Sequence, residues 1–386
     1  MQKTYFILLV GFYFAFLNSS AQDNYKNFVG IESAVLNVPL KISQDIDSLS
    51  FYLTAGYNTE LKKAQSVFRW ITNNINYDVN KQVTVFKNEN DFSQDALRVL
   101  RSKKAVCEGY SNLFMELCRR SGLSVEIITG YASAKGDNQT QPHAWNVIKI
   151  NDEWKLVDAT WAAGGIDERN STYHKSFDPK YFCMNPDSFL RTHYPIDPMW
   201  QLIAHPVTYK EFREKVKSQK EFIFSFNDTI AMHSKLLESD SMHAAYSQSL
   251  RALEYNPDDF YVQTMLNNIV EIYETQKFDS ATEQASESIE LFNSVITIIN
   301  DAKKKRNTKK LNDNEIIVTK NLLEAKQKMK SALEIYNVIN FTSGVNKITL
   351  TENTSRAKKN LNQMAEIDRY LIRYYRTPPA KRISAL

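Results

Sequence analysis

Three short stretches decide how this sequence is interpreted: Val106-Cys107-Glu108-Gly109-Tyr110-Ser111, Pro142-His143-Ala144-Trp145-Asn146 and Leu156-Val157-Asp158-Ala159-Thr160-Trp161. They contain a cysteine, a histidine and an aspartate in that order. A thiol is a weak nucleophile until it ionises, and a nearby imidazole can take its proton. A carboxylate on the other side of the ring then fixes the tautomer and stabilises the imidazolium. The three residue types therefore predict a triad, provided that the fold brings them together.

Cys107 is predicted to lie in the first turn of an amphipathic helix that Gly122 ends. The apolar residues at helical spacing after it are Tyr110, Leu113, Phe114, Leu117 and Cys118. Unpaired backbone amides and the positive end of the helix dipole favour a thiolate at such a position. Gly109 is expected to leave room beside the sulfur for a substrate backbone. The alternative is a buried structural cysteine, which is the common environment of this residue type.

His143 and Asp158 are predicted to lie on the two strands of a hairpin. Apolar and polar side chains alternate on both sides of Asn151-Asp152, which suits a two-residue turn. With that turn Ile150 faces Glu153, and His143 lies one diagonal step from Asp158 on the same sheet face. A three-residue loop would instead place them on opposite faces. His143 would then be an edge-strand residue and Asp158 a turn former.

Further blocks flank these stretches in a fixed order along the chain. They are Phe68-Arg69-Trp70-Ile71 with Asn74-Ile75-Asn76-Tyr77-Asp78, and later Tyr181-Phe182, Pro186, His193-Tyr194-Pro195 and Trp200-Gln201-Leu202. With these blocks the run from about Ala64 to Leu202 resembles the transglutaminase-like superfamily, and more closely its branch around kyphoscoliosis peptidase and cytokinesis protein 3. The resemblance implies a papain-like α+β core, in which a helix carrying the cysteine packs on an antiparallel sheet. It also implies that Cys107 is the nucleophile, His143 the base and Asp158 the orienting carboxylate.

Acyl transfer also requires hydrogen-bond donors for the oxyanion of the tetrahedral intermediate. The backbone amide of Cys107 is one candidate, because it points outward from a helix start. Tyr77 and Gln94 are the candidates for a second donor, and a half-buried structural role is the alternative for Tyr77. His193, in the last of the blocks, is expected to serve packing or loop anchoring.

The 386 residues are long enough for two domains, and composition suggests where they divide. We expect a signal peptide over 1–21, an irregular lead-in over 22–50, a transglutaminase-like catalytic domain over 51–207 and an all-α domain over 208–386. In the last region glycine becomes rare and amphipathic helical patterns dominate. The sequence is compatible with either a helical bundle or a short tetratricopeptide-like array, although no regular period of about 34 residues is present.

The N-terminus predicts export. Lys3 precedes an apolar stretch from Tyr5 to Leu17, and the small residues Ser19-Ser20-Ala21 follow before Gln22. This apolar stretch is shorter than a typical membrane span, although an uncleaved anchor is an alternative. No other stretch of the sequence is apolar and long enough to cross a membrane. The expected location is therefore secreted or periplasmic, with no membrane span after signal cleavage.

Charge and cysteine content exclude several other functions. The net charge of +4 is small, and the basic run Lys303–Arg306 has no interleaved aromatic residues, so nucleic acid is not an expected partner. Three cysteines cannot all pair, and Cys107 and Cys118 are too far apart on one helix to bridge. A disulfide between Cys118 and Cys183 is an alternative, and buried free thiols are the preferred expectation. No zinc-type spacing occurs, so neither a metal nor a cofactor is expected.

These observations predict an exported cysteine peptidase or amidase that acts on a peptide or protein substrate through a thioester intermediate. A non-catalytic interaction module using the same cleft is one alternative, and a protein cross-linking acyltransferase is another. The helical C-terminal region could bind a protein partner. Nothing in the sequence marks a lysine-binding tunnel or a calcium loop, so hydrolysis is expected over transfer to an amine.

Overall fold

The computed structural model describes residues 27–28, 30–31, 35–80, 94–133, 139–167, 171–340 and 344–386. The predicted signal peptide and parts of the predicted lead-in lie outside these residues. Within the described part of the chain, no helix has both the length and the apolar character that a membrane crossing requires. The chain divides into two compact units. The first comprises Met1–Glu238 and Arg251–Gln263, and the second comprises Ser239–Leu250 and Thr264–Leu386.

Among the described residues of the first unit, the longer helices before the main sheet are α1 (Ile46–Thr54), α2 (Glu60–Asn74), α3 (Ala96–Ser102) and α4 (Cys107–Arg120). Side-chain oxygens of Asp45, Thr59 and Asp95 accept backbone N–H groups at the starts of α1, α2 and α3. No such side-chain cap is present at the start of α4. This helix contacts the other three and the sheet, so its first residue is held by a large apolar core.

The strands form one large sheet and two small ones. The nine described strands are β1 (Asn76–Tyr77), β2 (Lys104–Ala105), β3 (Val125–Ala132), β4 (Gln141–Ile150), β5 (Glu153–Val157), β6 (Gly164–Asp167), β7 (Thr172–Lys175), β8 (Phe182–Met184) and β9 (His193–Pro195). The large sheet is antiparallel with the order β8-β5-β4-β3-β9. A parallel pair, β1 and β2, and an antiparallel pair, β6 and β7, stand apart from it. The α+β core predicted from the sequence is confirmed.

The hairpin of β4 and β5 has the predicted register. Ile150 pairs with Glu153 across a two-residue turn, in which Asn151 and Asp152 have φ of 51° and 63°. Positive φ at both positions is the type I′ geometry that matches strand twist, and Asn and Asp tolerate it better than most residues. The turn therefore fixes which side chains of β4 and β5 share a face.

Apolar side chains cover both faces of the large sheet. On β4, Ile148 and Ile150 belong to the core formed with α1, α2 and α4, whereas Trp145 and Val147 belong to a second core. This second core also receives Met199, Trp200 and Ile230 from the later part of the unit. The helices of that part are α5 (Ala159–Ala163), α6 (Pro186–Phe189), α7 (Tyr209–Glu214) and α8 (Phe226–Ser239).

The first unit continues after α5 with the paired strands β6 and β7, which lie on either side of residues 168–170 in the sequence. The first unit also includes 208–238, which composition assigns to the helical region. Ile230 on α8 explains this, because its side chain is buried in the second core.

The second unit is helical. It contains the first part of α9 (Ser241–Tyr255), most of α10 (Phe260–Lys304) and all of α12 (Glu315–Val338) and α13 (Gly344–Arg376), with the short α11 (Thr308–Asp313) between α10 and α12. One apolar core joins α10, α12 and α13 through residues at helical spacing, such as Val318, Leu322, Ala325 and Met329. At 45 residues α10 is longer than a whole tetratricopeptide repeat of about 34. The shared core and the length of α10 favour a bundle over a repeat array.

Gly109 has a packing role that differs from the one expected. A Cβ at this position would lie 2.6 Å from Gln94 Oε1 and 2.8 Å from both Ala105 Cβ and Val99 Cγ2. The glycine is buried, and it lets α4 approach α3 and β2 rather than making room for a substrate. Its absent side chain thus sets the position of the helix start that carries Cys107.

We predict that Gly109→Ala lowers the free energy of unfolding by about 1–3 kcal/mol, because overpacking outweighs the better helix propensity of alanine. Gly56→Ala is the matched control, since no heavy atom lies within 4 Å of a Cβ there. Denaturant unfolding of both variants measures the difference. Equal stabilities would show that the packing around Gly109 does not constrain the helix start.

Candidate active site

Cys107 is the first residue of α4, and its side chain is partly exposed. The amides in the first turn of a helix lack intrahelical partners, and at this helix no side chain caps them. One residue earlier, the Val106 N–H donates to Gln94 Oε1 at 3.2 Å, which anchors the entry of the chain into the helix. The thiol therefore stands at the positive end of a rigidly held helix.

His143 and Asp158 are in direct contact, as the hairpin register predicts. His143 Nε2 lies 2.9 Å from Asp158 Oδ2. The His143 side chain is 9% exposed and that of Asp158 is fully buried. With Nε2 facing the carboxylate, the other ring nitrogen remains for Cys107, and the thiol and the imidazole each shift the pKa of the other towards its charged form.

Asp158 does not lie within a strand, although the alternation of apolar and polar side chains predicts it on the second strand of the hairpin. β5 ends at Val157, and Asp158 is the N-cap of α5. Its Oδ1 accepts backbone N–H groups from Thr160 at 2.8 Å and Trp161 at 3.1 Å. One oxygen thus caps a helix, while the other faces the imidazole.

The charges of the three residues are coupled. Burial raises the pKa of Cys107, but the hydrogen bond and charge of His143 and the Ala144 backbone amide outweigh it, so the pKa is lowered overall. Burial lowers the pKa of His143, and the Asp158 carboxylate more than reverses this effect, raising it to about 10. The pKa of Asp158 is held well below its usual range by both histidines despite burial. A thiolate beside an imidazolium is the favoured state.

Both candidate oxyanion donors lie near Cys107. Tyr77 is half-buried, and burial together with the negative charges of Cys107 and Asp158 raises its pKa, so the phenol keeps its proton. Gln94 is buried beside the start of α4, where its Oε1 accepts the Val106 N–H and leaves its amide nitrogen as the donor. Their roles in catalysis stay predictions.

His193 makes a contact that the sequence did not indicate. Its Nε2 lies 3.1 Å from Asp158 Oδ2, the oxygen that also contacts His143. The sequence assigned His193 to packing, and the ring does pack on Phe189 and Trp161. Its contact with Asp158 depends on β9 lying beside β3, which no local pattern reveals.

Comparison with known proteins supports the interpretation of this arrangement. Residues 47–159, which include Cys107, His143 and Asp158, match the family model of the transglutaminase-like superfamily. This part of the chain is a transglutaminase-like domain. Kyphoscoliosis peptidase of Homo sapiens is 29% identical over 187 residues, which cover 46% of this chain and 27% of that protein.

Further similarities are more distant. Cytokinesis protein 3 of Schizosaccharomyces pombe is 27% identical over 157 residues, covering 39% of this chain and 17% of that protein. The chain thus spans about a quarter or less of the length of these two relatives, and both belong to the branch expected from the sequence. A crystal structure of a TGase is 20% identical, with a TM-score of 0.26, over 44% of this chain and 43% of that one.

The first unit also groups three potential metal ligands. One ligand atom each from His143, Asp158 and His193 lies within 4.8 Å of the other two. No local sequence pattern predicts this group, because its members are separated by 15 and 35 residues. Hydrogen bonds between each histidine and the carboxylate already account for the arrangement.

The other two cysteines have a different environment. All three thiols are free in this structure, and both Cys118 and Cys183 are buried. Burial raises the pKa of Cys118 and of Cys183, opposite in direction to Cys107. The first unit therefore presents one ionisable, accessible thiol and two protected ones.

We predict that alkylation of Cys107 by a neutral reagent reaches its plateau at a pH below the usual cysteine pKa of about 8.5, because the thiolate is stabilised. Cys118 and Cys183 should react slowly until the protein unfolds. Mass spectrometry of peptides after timed labelling resolves the three rates. Similar rates at all three sites, or a slowest rate at Cys107, would contradict the assignment.

The two oxygens of Asp158 can be tested separately. Asp158→Asn keeps an oxygen to cap α5 but removes the charge that stabilises the imidazolium, so the pKa of Cys107 should rise towards its usual value. Asp158→Ala removes the cap as well and should cost roughly 1 kcal/mol more of stability. Thermal unfolding and the pH dependence of alkylation measure the two effects. An unchanged pH profile in Asp158→Asn would mean that the carboxylate charge does not reach Cys107.

Proposed function

We propose that this protein is an exported cysteine peptidase or amidase that cleaves amide bonds in a peptide or protein substrate. The observation that carries the proposal is the chain of contacts from the Cys107 thiol through His143 to the buried Asp158. A site that only binds would not need a thiol beside a histidine whose pKa is raised to about 10 by a buried carboxylate.

Acylation would begin with the thiolate of Cys107. Its sulfur attacks the amide carbonyl carbon, and the carbonyl electrons move to oxygen. The Cys107 backbone amide donates a hydrogen bond to this oxyanion, with Tyr77 or Gln94 as the second donor. His143 then gives its proton to the departing amine as the carbon–nitrogen bond breaks, leaving a thioester on Cys107 and a neutral imidazole.

Deacylation would use the same groups in reverse. Neutral His143 accepts a proton from water, whose oxygen attacks the thioester carbonyl, and the carboxylic acid product leaves as the thiolate returns. Asp158 stays ionised throughout, since its role is to orient His143 and to stabilise the imidazolium. An amine in place of water would complete a cross-linking reaction instead.

The proposed location rests on the sequence alone. The apolar stretch from Tyr5 to Leu17, followed by Ser19-Ser20-Ala21, supports removal of a leader by a signal peptidase. Substrates would then be proteins or peptides outside the cytoplasm. The helical second unit would recruit or position them, since its apolar core contains no group of catalytic side chains among the described residues.

Incubation with a peptide mixture and a labelled primary amine tests the proposed reaction. We predict new peptide termini or deamidated side chains with little label incorporated. His143→Ala should lower the rate by roughly 10²–10⁴-fold, because general acid–base catalysis is lost. The full-length protein and its variants are compared by mass spectrometry of the products.

Cys107→Ala should abolish the reaction, and Cys118→Ala is the matched control, since it removes a buried thiol from the same helix. Incorporation of the label that depends on Cys107, without cleavage or deamidation, would identify a cross-linking acyltransferase. Binding of peptides with no product from any of them would favour the interaction module.

A further inference from the structure

His193 is held in one orientation by the fold. Its backbone pairs with Ala132 at the edge between β9 and β3, and its side chain is completely buried. The ring stacks on Phe189 with centroids 4.0 Å apart, and the Trp161 ring lies 4.5 Å away. Aromatic packing of this kind is enough to hold the ring in place. The hydrogen bonds of its two nitrogens therefore require a separate explanation.

The polar contacts of His193 define its tautomer. Nε2 lies 3.1 Å from Asp158 Oδ2, and a carboxylate can only accept, so Nε2 carries a proton. Nδ1 lies 2.9 Å from the Thr192 hydroxyl, whose one proton can go to Nδ1 or to the Phe189 carbonyl oxygen, 3.4 Å from the hydroxyl. In its neutral form the ring therefore donates from Nε2 towards Asp158 and can accept from Thr192 at Nδ1.

The two imidazoles on Asp158 have opposite electrostatic environments. The pKa of His193 is lowered by burial and by the charge of His143, against the opposing effects of Asp158 and the Phe189 carbonyl. The pKa of His143 is raised. The phenol of Tyr181, whose ring lies 6.4 Å from that of His193, also keeps its proton because burial raises its pKa. Asp158 thus has one charged and one neutral imidazole partner.

The backbone amides at the start of α5 hold only Oδ1 of Asp158. Rotation about the Cβ–Cγ bond moves both oxygens together, so a donor at Oδ2 adds to the two amides at Oδ1 in holding the carboxylate plane, and with it the ring of His143. We propose that His193 is a positioning residue of the triad, which donates from Nε2 to Asp158 Oδ2 and so fixes the carboxylate plane against which His143 is aligned towards Cys107. This inference rests on the proposed role of Cys107 as nucleophile.

Two substitutions test the hydrogen-bond donor of His193 and the packing of its ring separately. His193→Phe keeps a stacked ring and removes the donor, whereas His193→Gln removes the ring and keeps an amide donor. We expect His193→Phe to shift the acid limb of the Cys107 alkylation profile upward by about one pH unit, a tenfold loss of thiolate in that range. His193→Gln should shift it by less, even if it is the less stable protein in denaturant unfolding.

Thr192→Val gives a second, milder variant for the case that His193→Phe does not fold. Without the hydroxyl, Nδ1 faces the Phe189 carbonyl, so a proton on Nδ1 is favoured and the donor towards Asp158 is weakened. The acid limb should then move in the same direction by a smaller amount. A His193→Phe profile identical to that of the unsubstituted protein would overturn the inference, as would shifts that follow stability alone. An ordinary pKa in the unsubstituted protein would instead overturn the proposed function.

Discussion

The burial of one carboxylate is the constraint on which the candidate site depends. Asp158 has no exposed surface, and an ion taken out of water costs several kcal/mol unless hydrogen bonds replace its hydration. Four N–H groups do so here, two from the backbone of α5 and two from histidines. These donors come from three different parts of the fold, namely α5, β4 and β9. The carboxylate can therefore stay charged only when the sheet is correctly assembled, which couples the chemistry of Cys107 to folding.

The same carboxylate contacts two histidines whose pKa values shift in opposite directions. Its charge raises the pKa of His143, which faces the thiol, while burial dominates at His193 and lowers its pKa. Close packing makes this arrangement possible. At Gly130 on β3 a Cβ would lie 2.0 Å from the Tyr194 carbonyl oxygen, so only glycine lets β9 approach closely enough to bring its first residue to Asp158. A packing requirement in the sheet thus determines an electrostatic property of the site.

Local patterns were enough to predict the elements that carry the triad. The Asn151-Asp152 turn set the register of β4 and β5, and apolar spacing placed Cys107 at a helix start. The role of Asp158 as an N-cap could also be predicted, because Asp is a favoured N-cap residue. The alternation of apolar and polar side chains instead indicates a longer strand. The contact of His193 could not be found in this way, since it depends on strand order across 35 residues. Gly109 was misassigned because the identity of its neighbours, Gln94, Ala105 and Val99, is a property of tertiary packing.

We expect buried Asp158 to keep His143 positively charged beside an ionised Cys107. Nitrogen NMR of isotopically labelled histidines in the full-length protein tests this charge state most directly, because the ring nitrogens of neutral and charged imidazoles have distinct shifts. His143 should carry both ring protons at neutral pH and lose one only as the pH rises through about 10, beside a neutral His193 with its proton on Nε2. A neutral His143 at neutral pH, with an ordinary thiol at Cys107, would contradict it.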